Sequence, residues 1–259
     1  MPEEHIEYTV CWINGSLWAK VDGTYPLSKL DLEIQNQSVT NNSTVFTFEG
    51  NEVLMLYPTP PGTTNISIKM DETELEWSNY TQSVSDAVHY TAIGDWPVIA
   101  CTIYPVLDQF TLMIHYEHPV IKKGGYMFLY DLNISPYLSQ WSNKSTAHFA
   151  INFETEITDL QVVTITTDEA ITPVEYTVTN EGKTETVLLQ VVSDYSKPLL
   201  GDLLITFSSD KQTEQTSSGF LGSSLTTNQA YAIVAVTVIA AAGLSCFVLL
   251  RRKNWSENK

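Results

Sequence analysis

Residues 110–118 alternate Phe110, Leu112, Ile114 and Tyr116 with Thr111, Met113, His115 and Glu117. A repeat of two puts successive side chains on opposite faces of an extended chain, whereas a helix repeats every 3.6 residues. The segment can therefore separate an apolar from a polar face only as a β-strand. Residues 65–71 repeat the pattern, with Ile66, Ile68 and Met70 set against Asn65, Ser67, Lys69 and Asp71. Similar runs rich in Val, Ile, Thr, Tyr and Phe lie near 8–21, 28–35, 43–49, 52–57, 98–104, 125–132, 146–154, 160–166, 173–179, 185–193 and 201–207. Turn chemistry separates them at Asp22-Gly23, Glu49-Gly50-Asn51, Pro58 to Gly62, Lys123-Gly124-Gly125 and Asn180-Glu181-Gly182. Many short strands at this spacing predict an all-β fold of one or two antiparallel, Ig-like β-sandwiches. Helix signals are few. Ser135-Pro136-Tyr137-Leu138 has an N-cap followed by proline, and Ser85 to Tyr90 is a second candidate.

Charge narrows the function classes. The 259 residues carry a formal net charge of −17, yet Arg251, Arg252, Lys253 and Lys259 fall in the last nine positions. Residues 1–250 hold no arginine and nine lysines against 29 acids. Nucleic-acid binding needs a basic surface to displace counterions from phosphates, so that class is excluded. The same imbalance opposes docking on anionic lipid.

Residues 230–250 (AYAIVAVTVIAAAGLSCFVLL) run for 21 positions without a charge, Asn, Gln or Pro. As a helix they would span about 30 Å, the hydrocarbon thickness of a bilayer. Arg251-Arg252-Lys253 follows at once and predicts a cytoplasmic tail at 251–259, with residues 1–229 outside. The opening MPEEHIEYTVCW has neither a basic n-region nor an apolar h-region, so this orientation expects a start farther upstream. A tail-anchored protein with a cytosolic domain is the alternative.

Asparagine usage favours the outside. Ser and Thr make up 52 of 259 residues, so chance would place one two positions after about 3 of the 14 asparagines; nine have it. Eight precede the span: Asn14, Asn36, Asn41, Asn42, Asn65, Asn79, Asn133 and Asn143. These are glycosylation candidates. Ten of the 22 residues in 208–229 are Ser or Thr, which reads as a stalk too polar to fold by itself. The expected organisation is a β-rich module at 1–96, a β-sandwich domain at 97–207, the stalk, the span and the tail.

Chemistry-bearing clusters are sparse. Cys11 and Cys101 lie in strand-like runs, and a disulfide between them is one reading, two buried thiols the other. Glu72, Glu74 and Glu76 would share one strand face about 7 Å apart, a weak site for a hard cation or a solvated edge. In His115-Tyr116-Glu117-His118 the period of two sends His115 and Glu117 to one face and His118 to the other, so one metal cannot easily take both imidazoles. Nucleophile, phosphate-loop, dinucleotide and H-E-x-x-H motifs are absent from the sequence, and no cofactor is implied.

The acidic ectodomain, the eight sequons, the 208–229 stalk, the 230–250 span and the Arg-Arg-Lys cluster together resemble archaeal-type single-pass surface glycoproteins. That resemblance implies a membrane-anchored ectodomain and carries over no functional residue. The leading expectation is a non-enzymatic cell-surface protein acting in envelope structure, adhesion or ligand binding. One alternative is an ectoenzyme or carbohydrate-acting protein using surface carboxylates; another is an accessory or sensory subunit of a membrane complex. Expected partners are the bilayer, through residues 230–250, and a surface ligand or envelope protein. Thr237, Ala241 and Ser245 form a small-residue stripe that predicts weak homo-oligomerisation through the span.

Overall fold

The computed structural model describes residues 3–32, 45–49, 51–80, 90–91, 94–132, 144–166, 170–182, 184–194 and 202–209. Strands β1 (Glu3–Ile13) and β2 (Ser16–Ser28) are joined by Asn14-Gly15, whose φ angles of 49° and 87° are both positive. A two-residue hairpin turn of type I′ needs two such residues, and Asn-Gly supplies them with least strain. The 8–21 run is therefore two strands, not one. Conversely, Asp22-Gly23 is not a turn: it lies inside β2, with Gly23 paired to Ile6 on one side and Ile114 on the other. Close packing explains the glycine. A Cβ there would stand 2.4 Å from the hydroxyl of Tyr25, whose ring folds back over it.

The remaining described strands form three more sheets. The short pair β8 (Tyr90–Thr91) and β9 (Gly94–Asp95) stands alone. A four-stranded sheet has the order β3 (Val45–Glu49), β4 (Glu52–Pro58), β10 (Val98–Ile103), β7 (Trp77–Asn79). A five-stranded sheet runs β12 (Ile121–Lys122), β13 (Tyr126–Tyr130), β19 (Asp202–Ser208), β15 (Thr158–Ile165), β16 (Ile171–Pro173). The largest sheet has eight strands, in the order β17 (Tyr176–Glu181), β18 (Thr184–Asp194), β14 (Lys144–Phe153), β1, β2, β11 (Gln109–Pro119), β5 (Thr64–Met70), β6 (Thr73–Leu75).

The described fold is all-β, but the large sheet is mixed. Strands β1 and β14 run parallel, in register from Glu3↔Thr146 to Val10↔Phe153. Parallel and antiparallel partners share the same period of two, so alternation alone could not reveal this pair. The 28–35 run also departs from expectation. Ser28 caps a helical turn at 29–32: its hydroxyl accepts from the Asp31 amide at 3.2 Å, and the Asp31 carboxylate accepts from the Ser28 amide at 2.7 Å. This is a reciprocal capping box.

Alternation in β1, β2, β11 and β14 of the large sheet has one consequence. Ile6, Tyr8 and Val10, then Leu17, Ala19 and Val21, then Leu112, Ile114 and Tyr116, then Phe149, Ile151 and Phe153 all point inward and are buried. They join one core with Val53, Met55 and Ile99 of the four-stranded sheet and Phe128, Ile205 and Phe207 of the five-stranded sheet. Strands from both sides of residue 96 share this core, and residues 1–210 form one compact unit. Ser208 and Ser209, expected to begin the stalk, still belong to it: Ser208 ends β19, and the Ser209 hydroxyl donates to the Glu156 carbonyl at 2.9 Å.

No helix among the described residues is long and apolar enough to cross a membrane. The span at 230–250, the anchor Arg251, Arg252 and Lys253, the rest of the stalk and the helix signal at Ser135 lie outside the described residues. So do residues 85–89, and Tyr90 begins β8.

Candidate functional site

Each strand that sends apolar side chains inward sends the intervening ones outward. The outward face of the large sheet is therefore written by the same period of two, and it carries Glu3, His5, Glu7, Asp22, His115, Glu117 and His148. Glu3, His5 and Glu7 follow one another along that face of β1. His148 stands directly beside His5 on the parallel strand β14, and Asp22 stands opposite Glu7 on β2.

The two imidazoles stack, with ring centroids 4.9 Å apart and planes 6° from parallel. The His5 Nε2 lies 3.0 Å from Glu3 Oε1, and the His148 Nε2 lies 3.9 Å from the same oxygen. One donor atom from each of the three residues falls within 4.8 Å of the others. Asp22 accepts a 2.8 Å bond from His115 Nδ1, and Glu7 accepts one at 3.0 Å from Asn152 Nδ2. An open groove of about 850 Å³ runs over this part of the sheet, lined by His5, Glu7, Asp22, His148, Glu175 and Gln190 among others. None of the described residues lining it is lysine or arginine.

The inward face carries a second polar array that is closed to solvent. Tyr130 donates to Glu4 Oε2 at 2.7 Å, and the Tyr25 hydroxyl lies 3.0 Å from that of Tyr130 and 3.1 Å from that of Tyr57. Each hydroxyl has one proton. Since Tyr130 spends its proton on Glu4, the chain of donors runs Tyr57 to Tyr25 to Tyr130 to Glu4. Burial pushes the Tyr8, Tyr25, Tyr57, Tyr116 and Tyr130 hydroxyls well above their ordinary range. His118 sits beside them, ringed by Tyr8, Tyr116 and Phe128. Its Nδ1 donates to the Pro119 carbonyl at 3.1 Å, and burial lowers its pKa to about 4. These groups are buried and stiffen and specify the core.

The His115-to-His118 cluster divides as its alternation predicts. His115 and Glu117 face outward, where Glu117 accepts from Asn65 Nδ2 at 3.0 Å, and Tyr116 and His118 are buried. The acidic trio is not assembled. Strand β6 covers only Thr73–Leu75, so Glu72 sits in the preceding turn, Glu76 lies past the strand end, and Glu74 accepts from Ser67 at 2.9 Å. The Cys11–Cys101 bond is likewise not formed, and both thiols are free. Cys11 alternates with inward-facing Val10 and so lies on the outward side of the large sheet, whereas Cys101 is buried in the core under the four-stranded sheet. Burial raises the Cys101 thiol to about 11. Of the glycosylation candidates, Asn14, Asn65 and Asn79 are exposed; Asn36, Asn41, Asn42, Asn133 and Asn143 lie outside the described residues.

Sequence reasoning missed Glu3, His5 and His148. The first two share a strand face at spacing two, which the pattern could have flagged. His148 is brought to them only by the parallel register across 143 positions of chain.

No family model and no curated protein matches the sequence. Among solved structures, the chain is similar to a candidate nutrient-binding protein of Legionella pneumophila, at 13% identity and a TM-score of 0.47, over 80% of this chain and 65% of that one. It is also similar to leukotriene A4 hydrolase from Saccharomyces cerevisiae (9% identity, TM-score 0.36, 79% of this chain and 28% of that one). A third similarity is to an M1 zinc metallopeptidase from Deinococcus radiodurans (12%, TM-score 0.35, 79% and 41%). The chain thus spans less than two thirds of the length of each.

Proposed function

We propose that this chain is a single-pass surface glycoprotein, of the kind its sequence resembles, whose β-sandwich-type ectodomain captures a ligand on the outward face of its eight-stranded sheet. The observation that carries the reading is the acidic groove on that face, which joins two histidines to Glu7, Asp22 and Glu175 on the side of the sheet opposite the core, with Glu3 beside the histidines. A shallow face open to water suits binding better than catalysis, because electrostatic stabilisation of a transition state gains most where water is excluded. Exposure of Asn14, Asn65 and Asn79 supports display outside the cell, as do the basic cluster after residue 250 and the excess of sequons. The ligand is cationic or carries a cation, since the groove's charged side chains are acids.

The test is labelling of Gln190→Cys, in a Cys11→Ser background, with a membrane-impermeant maleimide on intact cells. Labelling before lysis is the expected result. Labelling that requires lysis places the face in the cytosol and overturns the reading.

A further inference from the structure

We infer that Glu3, His5 and His148 form a binding site for one divalent late-transition-metal ion of the Zn²⁺ or Cu²⁺ class. The inference rests on the groove's being a ligand face and names the cation that it takes. Three donors already converge, each within 4.8 Å of the others. Donors on one tetrahedral zinc stand roughly 3.3–3.5 Å apart, given bonds of about 2.0–2.2 Å. Closing the set needs side-chain rotation of about an ångström. All three side chains are 40–50% exposed and have room for it.

The backbone supplies the rest of the precision. Glu3 and His5 are fixed on one face by the pleat of β1, and His148 is fixed beside His5 by the parallel register. Both Nε2 atoms face the same carboxylate oxygen, so a cation there meets all three donors at once.

The surroundings favour a positive ligand at the expense of the empty sheet. Glu7 and Asp22 are directly opposite each other on neighbouring antiparallel strands. Like charges in that position destabilise a sheet, and a cation nearby relieves them. Glu175 adds a third acid to the groove. Donor chemistry then selects the ion. Calcium and magnesium take all-oxygen shells, whereas two imidazoles and one carboxylate suit zinc, copper and nickel, with copper bound most tightly. Three protein donors leave a position for water or for an anionic group of the groove's own ligand.

The experiment is calorimetric titration of chelator-stripped, detergent-solubilised full chain with zinc chloride. The expected result is one ion per chain, with affinity falling at least about tenfold in His5→Ala and in His148→Ala. His115→Ala, which changes an outward histidine not in the trio, and Cys11→Ser should bind as the unaltered chain does, and calcium chloride should give no saturable heat. Thermal melts of the two histidine variants should match the parent, separating loss of the site from loss of the fold. Absence of saturable zinc uptake overturns the inference. So does unchanged affinity in His148→Ala, or a loss in His115→Ala as large as in His148→Ala. The titration reads the ion and the maleimide reads display of the face, so either can fail without the other.

Discussion

The two faces of the eight-stranded sheet are built from alternate residues of the same strands, yet they answer to different physics. On β1, Ile6, Tyr8 and Val10 are buried in the core, and Glu3, His5 and Glu7 stand in water one residue away. The inward face is constrained by volume: every side chain there must fill space against the four- and five-stranded sheets, and polar atoms need partners. The Tyr57–Tyr25–Tyr130–Glu4 chain meets that demand for four polar groups at once. The outward face is free of it. Its residues can be placed for charge and ligation at almost no cost in packing, and it is there that like charges and paired imidazoles accumulate. Close packing and solvent-facing charge thereby fall on opposite sides of one sheet.

Four changes would break or sharpen that contrast. The largest effect is expected for Phe153→Ala. Phe153 is fully buried, with its ring centroid 5.0 Å from that of Phe207, and truncation leaves a cavity that closely packed neighbours cannot fill. Urea unfolding should show a loss of about 3–5 kcal/mol.

Next comes the pH dependence caused by His118. Its folded pKa is lowered to about 4 by burial, below the ordinary value near 6.5 that it regains on unfolding. Protonation therefore favours the unfolded chain. The contribution is fully present above about pH 6.5 and is lost as pH falls towards about 4, amounting to about 3 kcal/mol. Comparing urea midpoints at pH 7 and pH 4 should show a smaller drop in His118→Gln than in the parent. Equal drops would mean that the ring is not held neutral in the core.

Gly23→Ala should cost about 1–3 kcal/mol, because the added methyl collides with the Tyr25 ring and pushes its hydroxyl off Tyr57 and Tyr130. Thermal melts would show it, and combining it with Tyr25→Leu should recover part of the loss. A full-size effect in that double variant would place the strain in the backbone instead.

The smallest effect is expected on the outward face. His148→Ala, without metal, should shift stability by no more than about 0.5 kcal/mol, as for other surface changes. A shift as large as that of Gly23→Ala would show that the stacked imidazoles hold β1 to β14, and the division of labour between the faces would fail.

The sequence made one half of each strand legible and left the pairing of strands open. Phe110 to Glu117 announced its own two faces, because side-chain direction in a strand depends only on parity along the chain. The placing of His118 in the core and His115 in water followed from the same rule. Local chemistry was less reliable where two signals competed. Asn14-Gly15 offered both a sequon and a hairpin, and the hairpin went unread; Asp22-Gly23 looked like a turn but is a strand glycine roofed by Tyr25. The Ser28–Asp31 capping box was present in the residues and masked by the apolar run around it.

Taken alone, the residues determined that the described chain is built from strands and which side chains on a given strand share a face. Both follow from parity along the chain, a quantity that needs no knowledge of neighbours. Only the tertiary structure decided that β1 lies between β2 and β14, that β14 runs parallel to it, and hence that His148 meets His5 and Glu3. Strand pairing depends on which distant segments can close a common core. That choice is made by the combined packing of three sheets and leaves no mark in any single stretch of sequence.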